Sequence, residues 1–142
     1  MAISDYIDLN ESAPNNRSVI LSIKPEFADK IFNQTKYYEY RKVLFGLDVK
    51  KVYVYASRPI SKIIGYFIIN DIIQGSPSFV WEITSEHGGI TKDCFDSYFD
   101  GRKKAYAIQI KSVKRFKQAI EPKNIINNFR APQNFMYFSV EE

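Results

Sequence analysis

The sequence predicts an α+β protein in which about six strands form a small mixed β-barrel or curled sheet with two short helices. Six segments show the alternation or the apolar runs of strands, whereas only two show the helical spacing of apolar residues. The chain has 142 residues and is 45% hydrophobic, which is enough for a single domain to bury a core without disulfides or a metal.

The predicted elements follow one another along the chain with recognisable starts and ends. Pro25 suits the first turn of one helix, and Thr91 can cap the other. The fourth strand is apolar on both faces and is expected to be central, with Gly65 marking a bulge or a close backbone approach. Residues 79–89 are expected to be irregular or briefly helical, and residues 113–116 extend the fifth strand or form a bend. The predicted strands cover residues 19–24, 36–42, 51–56, 63–69, 105–110 and 135–140, and the predicted helices cover residues 25–33 and 92–100.

Composition also indicates the domain organisation and the compartment. Residues 1–17 are polar and are expected to form a flexible leader, followed by a single domain over residues 18–142. Cys94 is the sole cysteine, so no intramolecular disulfide can form, which is typical of the cytoplasm. Its place on the apolar stripe of a helix predicts that it is a core residue. No apolar stretch approaches a membrane span and no His/Cys cluster exists, so no membrane, metal or cofactor is predicted.

The charges are unevenly distributed. Residues 17–62 carry ten bases and four acids, and residues 102–130 carry nine bases and one acid. The segment between them, residues 63–101, carries one base and six acids. Two basic blocks that converge in space would attract a phosphate backbone. The alternative is two solvated basic faces that never meet, and the sequence leaves both open.

One short segment, residues 36–42, concentrates tyrosines and charges in the order Lys-Tyr-Tyr-Glu-Tyr-Arg-Lys. In a strand, alternation places Tyr37, Glu39 and Arg41 on the same face. An acid and a base on one strand face are expected in a binding or catalytic site, because a hydrophobic core has no use for such a pair. Glu39 could hold the guanidinium fork of Arg41, which could then grip a phosphate or a base edge. The alternative is an ordinary surface salt bridge.

A series of short motifs over roughly residues 18–138 carries a resemblance to a known family. The motifs are residues 20–25, 36–41, 54–59, 98–99, 105–108 and 132–135, together with Gly65 and Trp81. Their order, with a strand, a proline-started helix and then a Lys-x-x-Glu-x-Arg strand, resembles the ASCH family of the PUA-like superfamily. The resemblance implies a small PUA-like β-barrel with a cleft, which serves in the superfamily as an RNA-binding surface.

The resemblance also implies two kinds of enzyme. Some small ASCH proteins resemble amidohydrolases that deacylate an N4-acylated cytidine, and others look like nucleases. In the amidohydrolase pattern, a lysine after the first helix is followed by a threonine and an arginine at positions that correspond to Lys36, Glu39 and Arg41. Lys36 and Arg41 match this pattern. Glu39 departs from it, because a carboxylate replaces the hydroxyl.

Further candidate contacts lie at the ends of predicted elements. Lys24 stands beside a helix start, where anions bind readily. Gln133 could read a base edge, and Trp81 or Phe135 could stack on a base, although a lone tryptophan is often a core residue. The predicted binding residues are Ser22, Lys24, Lys36, Glu39, Arg41, Ser57, Arg58, Trp81, Gln133 and Phe135.

The leading functional prediction is a protein that binds RNA or a nucleotide in a basic cleft. The alternative is a small, metal-independent hydrolase acting on a modified nucleoside or on RNA, in which Lys36 and Glu39 form the catalytic acid/base pair. A third reading is an accessory interaction module in a regulator. No cofactor is implied by any of the three.

Overall fold

The computed structural model describes residues 17–139, so the predicted leader, apart from Arg17, lies outside the described residues. No helix among the described residues is long and apolar enough to cross a bilayer. The elements are β1 (Arg17–Ile23), α1 (Pro25–Phe32), β2 (Tyr38–Arg41), β3 (Val49–Ala56), β4 (Lys62–Gly75), α2 (Pro77–Thr84), α3 (Lys92–Tyr98), β5 (Ala105–Ile120) and β6 (Phe135–Phe138), with single 3₁₀ turns at Ser85–His87 and Pro122–Asn124.

The six strands form one mixed sheet in the order β2-β5-β4-β3-β1-β6. β1 and β3 are parallel, and the other neighbouring strands are antiparallel. This arrangement confirms the predicted α+β class and the six-stranded mixed sheet. β2 and β6 are the two edges, and no ladder joins them in residues 17–139, so the predicted closure into a barrel is not confirmed.

Apolar side chains alternate along the central strands and fill both faces of the sheet. On one face, Val54 and Phe67 pack in a cluster with Ala28 and Ile31 of α1, and all four are fully buried. On the other face, a cluster around Tyr53 is completed by residues from the segment that runs from Pro122 to β6. A third cluster joins α2 and α3 to β2 and β5 through Tyr40, Val80, Phe95 and Ala107.

The structure adds a helix that the sequence did not predict as one. Ser76 caps α2, with its hydroxyl oxygen accepting a hydrogen bond from the backbone N–H of Phe79 at 3.2 Å, and Pro77 occupies the first helical turn. In the sequence, the Gly-Ser-Pro run at residues 75–77 indicates a loop, because the same residue types both end strands and begin helices.

Two local expectations have clear outcomes. A Cβ at Gly65 would lie 2.7 Å from the ring of Phe32 and would also meet the carbonyl oxygen of Lys114, which confirms the close approach predicted there.

The prediction that Cys94 is a core residue is wrong, because the thiol is exposed. Phe95 and Phe99 fill the core beneath α3 instead, and Cys94 lies one residue away from that buried face.

Candidate functional site

A cavity of about 590 Å³ opens where the end of β1, the start of α1, β2, α3 and the segment before β6 meet. Its wall contains four bases and two acids, so the net charge of the lining is positive. The lining residues are Ser22, Ile23, Lys24, Glu26, Phe27, Lys36, Glu39, Tyr40, Arg41, Lys42, Ile90, Cys94, Ser97, Tyr98, Gln133 and Asn134.

Lys36 lies in the wall of this cavity with only 2% of its surface exposed. Its Nζ donates a hydrogen bond to the carbonyl oxygen of Gly88 at 2.6 Å and lies 4.7 Å from the ring centre of Tyr40. Burial lowers the pKa of the Lys36 ammonium below that of an ordinary lysine. The carboxylate of Glu39 opposes this shift, and the charge of Lys30 adds to it.

A loop of two glycines is fitted around Lys36. Gly89 has a φ of 73°, in the left-handed region, and a Cβ there would lie 2.7 Å from both Cβ and Cγ of Lys36. The Nζ of Lys30 donates a hydrogen bond to the carbonyl oxygen of Gly89 at 3.1 Å. The backbone N–H of Tyr37 donates a hydrogen bond to the carbonyl oxygen of His87, just before the two glycines, at 2.8 Å. The carbonyls of this loop therefore fix both the backbone and the side chain at the start of β2.

Glu39 and Arg41 form an ion pair inside the wall. Nη1 of Arg41 lies 3.2 Å from Oε2 of Glu39, and the side chains of Arg41 and Glu39 are 11% and 8% exposed. The same guanidinium donates to the carbonyl oxygens of Asn134 at 2.9 Å and of Ser22 at 3.4 Å. Arg41 thus connects edge strand β2 to β1 and to the segment that leads into β6, the other edge strand.

Two aromatic side chains supply apolar surface to the cavity. Tyr98 is 36% exposed, and the Nζ of Lys42 lies 4.5 Å from its ring centre. Burial raises the pKa of the Tyr98 phenol, while the positive charge of Arg41 acts in the opposite direction. The hydroxyl is therefore protonated at neutral pH and can donate a hydrogen bond. Phe27, half-buried on α1, lines the same cavity.

Six of the predicted binding residues lie together. Ser22, at the end of β1, donates a hydrogen bond from its hydroxyl to the carbonyl oxygen of Pro132 at 2.8 Å, which holds the strand end against the segment before β6. The six that line the cavity are Ser22, Lys24, Lys36, Glu39, Arg41 and Gln133.

The other four predicted residues do not line this cavity. Ser57 donates its backbone N–H to the carbonyl oxygen of Ile23 at 3.0 Å, and Arg58 is exposed in the turn that follows. Trp81 packs against the ring of Phe95 in the third cluster, with ring centres 4.9 Å apart. Phe135 packs against the ring of Phe45, with ring centres 5.7 Å apart.

The two basic blocks also differ in their relation to the site. The first block supplies all four bases of the lining, and no base from residues 102–130 lines the cavity. Sequence reasoning also missed the glycine loop, Tyr98 and Asn134. The adjacent pair Gly88–Gly89 after the lone histidine was the available signal for the loop. Tyr98 was hidden in the apolar stripe of α3.

Comparison with known proteins places the chain in a family. Residues 16–129 match the family described as "Domain of unknown function (DUF365)", and the chain therefore belongs to that family. The chain is also similar to a protein named "ASCH domain-containing ribonuclease" from Zymomonas mobilis, with 28% identity over 136 residues that cover 91% of this chain and 89% of the relative.

Solved structures of an ASCH protein from Zymomonas mobilis are also similar to the chain. The crystal structure of the ASCH protein from Zymomonas mobilis shares 27% identity and superposes with a TM-score of 0.79, covering 86% of this chain and 87% of that one. A serine-to-alanine mutant of the same protein superposes with a TM-score of 0.81 at 26% identity, covering 89% and 92% of the two chains. The predicted ASCH domain is confirmed.

Proposed function

We propose that this protein binds RNA, with one nucleotide held in the cavity between α1, β2 and α3. The observation that carries the proposal is the convergence of Lys36, Glu39 and Arg41 in one buried, positively charged wall. Burial of three charges is costly, and such groups commonly mark binding or catalytic sites. An anionic ligand would supply the partner that the excess of bases lacks.

The remaining lining suits the other parts of a nucleotide. Tyr98 and Phe27 present rings on which a base can stack, and the amides of Gln133 and Asn134 can read its polar edge. The hydroxyl of Tyr98 and the ammonium of Lys36 can donate to ribose or phosphate oxygens. The similar protein from Zymomonas mobilis, which is named a ribonuclease, supports RNA as the ligand class.

Replacement of Lys36 by methionine tests this proposal directly. We expect the affinity for a labelled single-stranded RNA to fall by about tenfold or more, because a hydrogen bond to a charged group contributes about 1.5–3 kcal/mol. Fluorescence polarisation at several salt concentrations measures both the affinity and its salt dependence. The matched control is Lys92→Met on α3, since Lys92 is exposed, pairs with Asp96 and does not line the cavity. An unchanged affinity of the Lys36 variant would contradict the proposal.

A second candidate function is metal-independent cleavage of the bound RNA. The specific observation that favours it is a buried lysine of lowered pKa in the same wall as a carboxylate. Glu39 would accept the proton of a ribose 2′-hydroxyl, whose oxygen attacks the adjacent phosphorus. The ammonium of Lys36 would give its proton to the departing 5′-oxygen, and the guanidinium of Arg41 would stabilise the charge on the phosphorane. The products would be a 2′,3′-cyclic phosphate and a free 5′-hydroxyl.

The pH dependence of cleavage distinguishes this mechanism. Because only the protonated Lys36 can act as the acid and its pKa is lowered, the rate should fall as the pH rises through a value below that of an ordinary lysine. Gel analysis of labelled RNA in EDTA measures the rate, and Lys36→Ala should abolish it. N4-acetylcytidine is the parallel substrate for amidohydrolase chemistry. Binding of RNA without turnover of either substrate would contradict the enzymatic candidate and leave RNA binding as the proposed function.

A further inference from the structure

Beyond Ile110, β5 carries exposed bases along an edge that pairs with no other strand of residues 17–139. The N–H of Ile110 donates to the carbonyl oxygen of Tyr37 at 2.9 Å, and in the described part of the chain no strand pairs with this edge beyond that point. Because strands rise by about 3.4 Å per residue, the segment from residue 111 to residue 117 spans roughly 20 Å. Its bases, here called the β5 strip, are Lys111, Lys114, Arg115 and Lys117, all exposed. Lys114 and Arg115 are consecutive and point to opposite faces of the strand, so the strip follows the strand edge and not one face of the sheet.

Few acids among the described residues pair with the β5 strip. Glu121, the one acid in residues 102–130, lies 2.9 Å from the Nζ of Lys62 on β4 and is not paired with the strip. Arg115 makes a long contact of 3.5 Å with Asp29 of α1. All three lysines are exposed, and none of them takes part in an ion pair with another residue in the range 17–139.

Helix α1 lies between the β5 strip and the cavity and contacts both. Arg115 contacts Asp29 and lies 5.7 Å from the ring centre of Phe32, both on α1. The first turn of the same helix supplies Glu26 and Phe27 to the cavity lining. An eight-residue helix is about 12 Å long, so the cavity and the strip are separated by roughly one short helix.

We propose that the β5 strip is a second contact surface for the phosphate backbone of an RNA whose one nucleotide occupies the cavity. This inference rests on the function proposed above and adds to it a requirement for length, because only an RNA of several nucleotides can reach both surfaces. Lysines on an unpaired strand edge can also serve to prevent association of sheets. That role predicts aggregation when the lysines are removed and no change in RNA binding.

The test compares two double variants that remove the same charge. The first is Lys114→Gln with Lys117→Gln, and the control is Lys103→Gln with Lys104→Gln, in the loop before β5. The probe is a labelled single-stranded RNA of about 12 nucleotides, within the range of about 4–16 that small domains commonly cover. Loss of two phosphate contacts should lower the slope of log affinity against log salt by about 1.4, since each contact contributes about 0.7. The control should keep the original slope.

A dinucleotide separates the two proposals. Both double variants should bind it as the unmodified protein does, because it reaches only the cavity. An unchanged slope for the longer RNA in the first variant overturns the strip and leaves the cavity as the binding site. If that variant aggregates, the test is made with the unmodified protein. Equal slopes of log affinity against log salt for the dinucleotide and for the longer RNA would then overturn the proposal that the strip binds RNA. Failure to bind either RNA overturns both proposals.

Discussion

Replacement of Arg41 by alanine is expected to destabilise the protein by about 3–5 kcal/mol, because loss of one member of a buried ion pair leaves the other charge uncompensated. The charge left behind is the buried carboxylate of Glu39. The change also removes the donor from the carbonyl oxygens of Ser22 and Asn134. Urea denaturation followed by circular dichroism measures the free energy of unfolding.

Two further variants define the cause of this loss. Replacing Glu39 by leucine together with Arg41 by alanine should recover part of the stability, because the unpaired carboxylate is removed. The recovery should be incomplete, since the buried ammonium of Lys36 then loses the opposing charge of Glu39. Arg17→Ala removes an exposed partner of Asp48 and should have a much smaller effect. Equal losses for Arg17 and Arg41 would show that burial of the Glu39 pair has no particular weight.

Replacement of Gly89 by alanine is expected to weaken both the fold and RNA binding. A non-glycine residue in the left-handed region costs about 1–2 kcal/mol from the backbone alone. The added Cβ would also collide with the first two carbons of the Lys36 side chain and displace its ammonium from Gly88. The RNA affinity, measured by fluorescence polarisation, should therefore fall along with the midpoint of unfolding.

Gly101 supplies a matched control for the backbone part of this effect. Its φ is 75°, close to the 73° of Gly89, but a Cβ there meets nothing within 4 Å. Gly101→Ala should show only the backbone cost and should bind RNA as the unmodified protein does. If both alanine variants lose the same stability and keep full RNA affinity, the glycine loop does not position Lys36.

Local patterns in the sequence were sufficient for most of the fold. Alternation, apolar runs and tyrosine content together identified all six strands, although β5 continues to Ile120 and not only to residue 110. Pro25 and Thr91 marked the starts of α1 and α3. The start of β2 was predicted less accurately. The strand begins at Tyr38 rather than at residue 36, so alternation does not apply to Lys36. Lys36 lines the same cavity as Glu39 and Arg41, although strict alternation assigned it to the opposite face. Tyr40 and Lys42, which alternation assigned to that opposite face as well, also line the cavity.

The rest of the site depends on contacts between distant parts of the chain. Gly88 lies 52 residues from Lys36 in sequence, and no local pattern connects them. Which aromatic side chains line the cavity also depends on tertiary packing. Trp81 and Phe135 pack against other rings away from the cavity, whereas Tyr98 contacts the ring of Phe99 and still lines the cavity. A sequence indicates that rings are available but not which of them have a free face.

The cavity lining contains buried residues such as Arg41, which also support the fold, and exposed residues, which do not. One guanidinium contacts β1 and the segment before β6, and it also lines the cavity proposed to hold a nucleotide. We therefore expect any substitution of Arg41 to alter both folding and RNA binding. Gln133 and Ser97 are exposed at the mouth of the cavity, so we expect substitutions there to change the cavity surface without destabilising the fold. A search for altered ligand preference in this scaffold should therefore randomise the mouth and leave the wall intact.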